Sequence, residues 1–127
     1  MNAGALPWIA LGGAAGAMAR YLAGHWVHMW LPRDFPWGTL LVNLLGALFI
    51  GMALVLLMQR DTVNLAWRMA IVVGFLGAFT TFSTFSLENL LLLQQGEWLR
   101  AGLYMTGSLA GCIVATWAGT IVGRLFT

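Results

Sequence analysis

The sequence predicts an all-α membrane protein of four transmembrane helices with a break in the third, and two observations carry that reading. The first is composition: 61% of the 127 residues are hydrophobic and 8% are charged, against roughly 25% charged in a soluble domain. Such a chain cannot clothe a folded surface in polar groups, so much of its solvent must be lipid. The second is distribution. Four runs carry no charge at all, at 1–19, 37–59, 69–87 and 101–123. A helix needs about 20 mostly apolar residues to cross a hydrocarbon core of roughly 30 Å. Four crossings with short connections occupy the chain as one transmembrane domain, 1–127, and leave no room for a soluble one.

Helix 1 is expected over 6–30. No basic residue precedes Arg20, so its apolar run lacks the charged flank of a cleavable signal peptide. Pro32-Arg33-Asp34-Phe35-Pro36 then turns the chain, and helix 2 is expected over 37–58. Gln59-Arg60-Asp61 opens the second loop before helix 3 at 65–93. Gln94-Gln95-Gly96-Glu97 supplies the third, with helix 4 at 98–126. Six tryptophans, Trp8, Trp26, Trp30, Trp37, Trp67 and Trp98, fall near these span ends, where an interfacial aromatic belt belongs.

Orientation is barely encoded. Arg60, Arg68 and Arg124 fall on the side of the N-terminus, and Arg33 and Arg100 on the other. Three against two gives the positive-inside rule almost nothing to act on. Either one topology is fixed but weakly written, or the chain inserts both ways and pairs antiparallel with itself.

Several constellations could carry chemistry. On helix 4, Tyr104, Ser108, Cys112, Thr116 and Thr120 recur every four residues and wind along one face. They either line a solvated or ion-conducting track or bond back to their own helix. Beside them, Gly107, Gly111, Ala115, Gly119 and Gly123 form a small-residue row suited to close helix packing. Helix 3 carries Gly74 and Gly77 and then Thr80-Thr81-Phe82-Ser83-Thr84-Phe85-Ser86, a run that weakens a helix. The span is either broken there, with freed carbonyls able to hold a cation, or a kinked packing helix. Phe82 and Phe85 would share a face, and their ring edges are electropositive. Asn43 is the lone amide of helix 2, an interhelical hydrogen-bonder or a pore donor. Arg20 and Glu88 lie inside spans and need water or partners. His25 and His28, three apart without further ligands, read as interfacial.

Other classes find no support. There is no nucleophile–base–acid set, so an enzyme is not expected. Six arginines and no lysine, for a net charge of +2, are too few for a nucleic-acid surface. The single cysteine, Cys112, cannot form an intrachain disulfide.

The stretches GGAAGAMAR (12–20), GTLLVNLLG (38–46) and GFLGAFTTFSTFS (74–86) resemble those of the CrcB/Fluc fluoride channels across essentially the whole chain. The resemblance implies an antiparallel dual-topology homodimer in the bacterial plasma or inner membrane, with two pores that let cytoplasmic fluoride leave passively. It assigns the pore to Asn43, Phe82 and Phe85, with Ser83, Tyr104, Ser108 and Thr116 extending it. Arg20 falls where fluoride enters, and Glu88 in the vestibule. It implies a structural sodium ion on the backbone carbonyls of Gly77 and Thr80 of both subunits. Cys112 stands where family members often have serine, and a thiol is a weaker hydrogen-bond partner. The alternative is a proton-coupled exporter of the small multidrug-resistance type, another four-helix dimer. That class carries a glutamate in helix 1, and here helix 1 has no acid.

Overall fold

The computed structural model describes residues 3–127, and every long element in it is helical. A short turn at Ala3–Ala5 leads into α1 (Leu6–Trp30), with Pro7 in its first turn, where a missing N–H costs nothing. α2 (Trp37–Ala53) continues through a wider π-helical stretch, Leu54–Met58. The third span, Leu65–Gln94, is composite. α3 (Leu65–Arg68) opens it, and Asn64 caps it by accepting the Ala66 N–H at 2.8 Å. A π-helical run, Met69–Leu76, and the short α4 (Gly77–Phe79) follow. Thr80 (φ −81°, ψ 158°) and Thr81 (φ −150°, ψ 119°) are extended, and α5 (Phe82–Gln94) resumes the helix. α6 (Trp98–Arg124) completes the chain.

The expected helix bounds agree with these within two residues. The exception in character is α1. Among the described residues three helices are long and apolar enough to cross a membrane, Trp37–Met58, Leu65–Gln94 and Trp98–Arg124. α1 has the length, about 37 Å at 1.5 Å per residue, but Arg20, His25, His28 and its glycines lower its hydropathy. The turn after α5 shows why the loops fall where they do. Gly96 takes φ +77°, and the amides of Gly96 and Glu97 return to the carbonyls of Leu93 and Leu92 at 3.1 and 2.9 Å. This is a Schellman closure, and it needs a residue without a Cβ at the left-handed position.

Close helix contact is built on glycine. A Cβ at Gly51 of α2 would overlap the Thr116 carbonyl of α6, and one at Gly119 of α6 would overlap the Leu48 carbonyl of α2. The two helices thus seat a backbone carbonyl in each other's missing side chain. Without a hydrophobic drive between helices in lipid, such approach is the main source of packing energy. Only part of the small-residue row on α6 is used this way, since nothing lies within reach of Gly107. At the loop end, Leu92, Ala101 and Tyr104 are buried together under Phe35, Leu40 and Phe85. All seven tryptophans are exposed, as lipid or interface contact requires.

Candidate functional site

The two extended residues set the geometry of the site. Extended backbone inside a helical span leaves an N–H and a C=O with no partner in the ladder, and a membrane interior supplies none. Asn43, reaching across from α2, provides both. Its Nδ2 donates to the Thr81 carbonyl at 3.1 Å, and the Thr81 N–H donates to its Oδ1 at 2.8 Å. A primary amide carries a donor and an acceptor side by side, which no other residue of α2 does. One N–H of Asn43 remains beyond this clasp. Thr81 then caps α5, its hydroxyl accepting the Thr84 N–H at 3.3 Å and donating to Thr84 Oγ1 at 3.0 Å.

Beside the clasp lies a groove of about 430 Å³, open on one side. Asn43, Gly77, Thr80, Thr81, Phe82, Phe85, Ser108, Cys112 and Thr116 border it with apolar residues of α2 and α6, and no charged side chain does. The Phe82 and Phe85 rings lie 5.5 Å apart, inclined by 37°. Phe82 is 74% exposed, an apolar ring left largely uncovered by its own chain. Ser108 Oγ is buried without a hydrogen-bond partner among the described residues. The face of α6 read as a polar row therefore divides. Ser108, Cys112 and Thr116 border the groove, while the Thr120 hydroxyl donates back to the Trp117 carbonyl at 2.7 Å.

Tyr104 stands apart from the groove lining. It is fully buried, with its ring 5.0 Å from that of Phe85, and its hydroxyl donates to Glu88 Oε2 at 2.7 Å. The Thr39 hydroxyl donates to Glu88 Oε1 at 2.8 Å, so the one carboxylate well inside the spans is held by hydroxyls of α2 and α6. Ser83 is exposed and off the groove lining, its Oγ 3.4 Å from Thr81 Oγ1. Arg20 extends Nη1 to within 3.4 Å of the Thr80 carbonyl. It also borders a second cavity of about 330 Å³ with His25, His28 and Arg33, and Thr81 touches both cavities. Thr39 and Thr81 escaped the sequence reading as individual site residues. Their partners lie 49 and 38 positions away, and no local signal marks them.

The sequence model of the family described as CrcB-like protein, Camphor Resistance (CrcB), matches residues 7–120. Among similar proteins, one from Magnetococcus marinus, named Fluoride-specific ion channel FluC, is 52% identical over 120 residues, covering 94% of this chain and 98% of its own. A protein of the same name from Acidobacterium capsulatum is 48% identical over 92% of this chain and 94% of its own. Another from Methylococcus capsulatus is 47% identical over 91% of this chain and is longer, the match spanning 51% of it. The motifs of α1, α2 and the third span all fall inside the matched region, and with them the clasp, both phenylalanines and the row on α6. This chain belongs to the CrcB family.

Proposed function

We propose that the protein is a fluoride-selective channel of the bacterial cell membrane that lets cytoplasmic fluoride leave by passive electrodiffusion. The observation that carries this reading is the groove, where an amide, hydroxyls and two aromatic rings converge without a fixed charge. Fluoride is small and holds its water tightly, so a selective path must replace that water with close donors. The spare N–H of Asn43, the hydroxyls of Ser108 and Thr116 and the ring edges of Phe82 and Phe85 are such donors. None of them is a full positive charge that would trap the ion, and conduction requires that it leave as well as enter. A negative-inside potential drives an anion outward by about 2.3 kcal/mol per 100 mV.

The path is completed by a second, inverted copy. The exposed Phe82 ring, the groove open along one side and the near-even split of arginines all support an antiparallel homodimer of four-span subunits with two pores. Thr80–Thr81 acts in it as the break of helix 3. A sodium ion on the Gly77 and Thr80 carbonyls of both subunits fits the donors present. The last regular helical bond before the break runs from the Thr80 N–H to the Leu76 carbonyl at 3.1 Å. The next amide, that of Thr81, turns to Asn43, so the Gly77 carbonyl loses the partner a continuing helix would give it. A carbonyl has two lone pairs, so Thr80 can accept from Arg20 and still face the ion. When bound, the sodium supplies charge that ties the two breaks together.

The exporter alternative draws no support, because Glu88, its one candidate proton site, is engaged by two hydroxyls. The test is a fluoride electrode reading on liposomes holding the purified protein, with chloride loaded in parallel. Rapid fluoride release with chloride retained is the expected result. A flat fluoride trace would overturn the proposal.

A further inference from the structure

Gly46 stands inside α2, where the helix runs on without a turn. Glycine is a poor residue for a helix interior, so one placed there calls for a neighbour too close for a side chain. That neighbour is Thr80. A Cβ at Gly46 would overlap the Thr80 Cγ2 and lie 3.4 Å from the Phe79 ring. The Thr80 methyl thus fills the space where α2 lacks a side chain. The Thr80 hydroxyl is engaged as well, donating to the Leu76 carbonyl at 3.1 Å, and the same carbonyl receives the Thr80 N–H at 3.1 Å. Methyl and hydroxyl share one Cβ, so neither moves without the other. Asn43, three residues before Gly46 on the same face of α2, holds both backbone groups of Thr81. The two extended residues are therefore keyed to α2 in succession, Thr81 by hydrogen bonds and Thr80 by shape. The Thr80 carbonyl meets Arg20 Nη1 at 3.4 Å, a long contact that leaves a lone pair over. Gly46, Gly77 and Thr80 all border the groove.

Resting on the sodium reading above, we propose that Gly46 is a positioning residue for the cation site: by receiving the Thr80 methyl it fixes the direction of the Thr80 carbonyl. Carbonyls hold a cation through the number and field strength of their dipoles, and a dipole free to swing is a weaker ligand. The backbone angles of Thr80, φ −81° and ψ 158°, set where its C=O points. With the Thr80 side chain and N–H anchored and the next residue clasped by Asn43, those angles have little room to change. A side chain at Gly46 would push Thr80 off α2 and turn the carbonyl with it. Intrinsic helix propensity favours alanine over glycine, so a loss on Gly46→Ala cannot come from a weaker helix. Gly51 offers a matched comparison. A Cβ there would meet the Thr116 carbonyl, a contact that packs α2 on α6 and does not involve Thr80.

The test follows thermal unfolding of the full-length protein in detergent by its tryptophan fluorescence, with sodium replacing N-methylglucamine at constant ionic strength. A ligand that binds the folded form raises the unfolding temperature once its concentration passes the Kd, so the sodium level at which the climb begins is the readout. G46A should need about tenfold more sodium to begin that climb, since overpacking a tight contact shifts the backbone. G46A/T80S, in which the overlapping methyl is gone, should return to within about threefold of the wild type. G51A should lower the unfolding temperature at every sodium level and leave the onset in place. A wild-type onset in G46A, an equal shift in G51A, or a double variant no better than G46A would overturn the positioning role and leave the sodium reading intact. If G46A yields no folded protein, T80S carries the comparison. Its onset should rise about threefold as the smaller side chain regains rotamers, and an unchanged onset would overturn the proposal. A wild type that ignores sodium would remove the sodium reading and this role with it, while fluoride release from liposomes still judges the channel by itself.

Discussion

The two cavities that meet at Thr81 are bordered by opposite chemistry. The one bordered by Arg20 and Arg33 places full charges around its space. The groove beyond Thr81 offers only neutral donors and ring edges. The difference teaches where charge can be tolerated along an ion's path. A hydrated anion feels a guanidinium through water, at a few tenths to 1 kcal/mol, and is gathered without being held. An anion stripped of water in a low-dielectric groove would be bound by the same charge too tightly to move on. On the channel proposed above, fixed charge at the mouth and dipoles in the passage would be two halves of one arrangement.

That contrast can be broken from either side. The largest effect is expected from Asn43→Asp. The carboxylate keeps an acceptor for the Thr81 N–H but loses the donor to its carbonyl and puts a negative charge in the passage. Fluoride release from liposomes should fall about 100-fold or more, as losing a donor to an ion costs roughly 1.5–3 kcal/mol even before repulsion. Near-normal release would mean that Asn43 does not face the ion. Replacing Phe82 and Phe85 together by isoleucine removes the electropositive ring edges while keeping apolar bulk. A loss of about 10-fold or more is expected in the same assay, from two contacts of about 0.5–1.5 kcal/mol each. Unchanged flux would make the rings mere packing.

On the charged side, Arg33→Gln should lower fluoride current only about two- to threefold at low salt, and the deficit should vanish in about 1 M salt. A salt-independent loss would place Arg33 in direct contact with the ion. The smallest effect is expected at Cys112. A serine there restores a hydroxyl between Ser108 and Thr116, and flux should rise less than about twofold, since a thiol is only a weaker partner. No change at all would make the position a spectator.

Much of this was readable in the chain because lipid imposes simple demands. The apolar runs and the Pro32–Pro36 and Gln94–Glu97 breakers placed the helix ends within two residues of those observed. α6 stops at Arg124 rather than 126, as Leu125, Phe126 and Thr127 close their amides onto carbonyls three residues back. Asn43, Phe82, Phe85, Ser108, Cys112 and Thr116 could be picked out because polar or aromatic residues at mid-span need a reason. What the sequence withheld were pairings across distance. That Thr39 and Tyr104 share Glu88, or that Arg20 reaches Thr80, depends on how four helices stack, and no spacing in one helix encodes it. The π-helical widening over Met69–Leu76 was likewise not foreseen, for Gly74 and the β-branched Ile71, Val72 and Val73 weaken an α-helix without specifying a wider one. Ser83, grouped with the pore by its place in the motif, is exposed and absent from the groove lining, which its motif neighbours Thr81, Phe82 and Phe85 border.

The Asn43–Thr81 clasp also bears on motion. Interrupted helices are usually the places where a membrane protein bends, but here both backbone groups of Thr81 are tied to a side chain on another helix. Releasing them breaks two hydrogen bonds at once in a water-poor setting, each worth about 1 kcal/mol net and more when left unmade. The Thr81 amide should therefore exchange its hydrogen as slowly as its helical neighbours despite its extended backbone. Held in this way, the extended pair Thr80–Thr81 is a rigid joint and not a hinge.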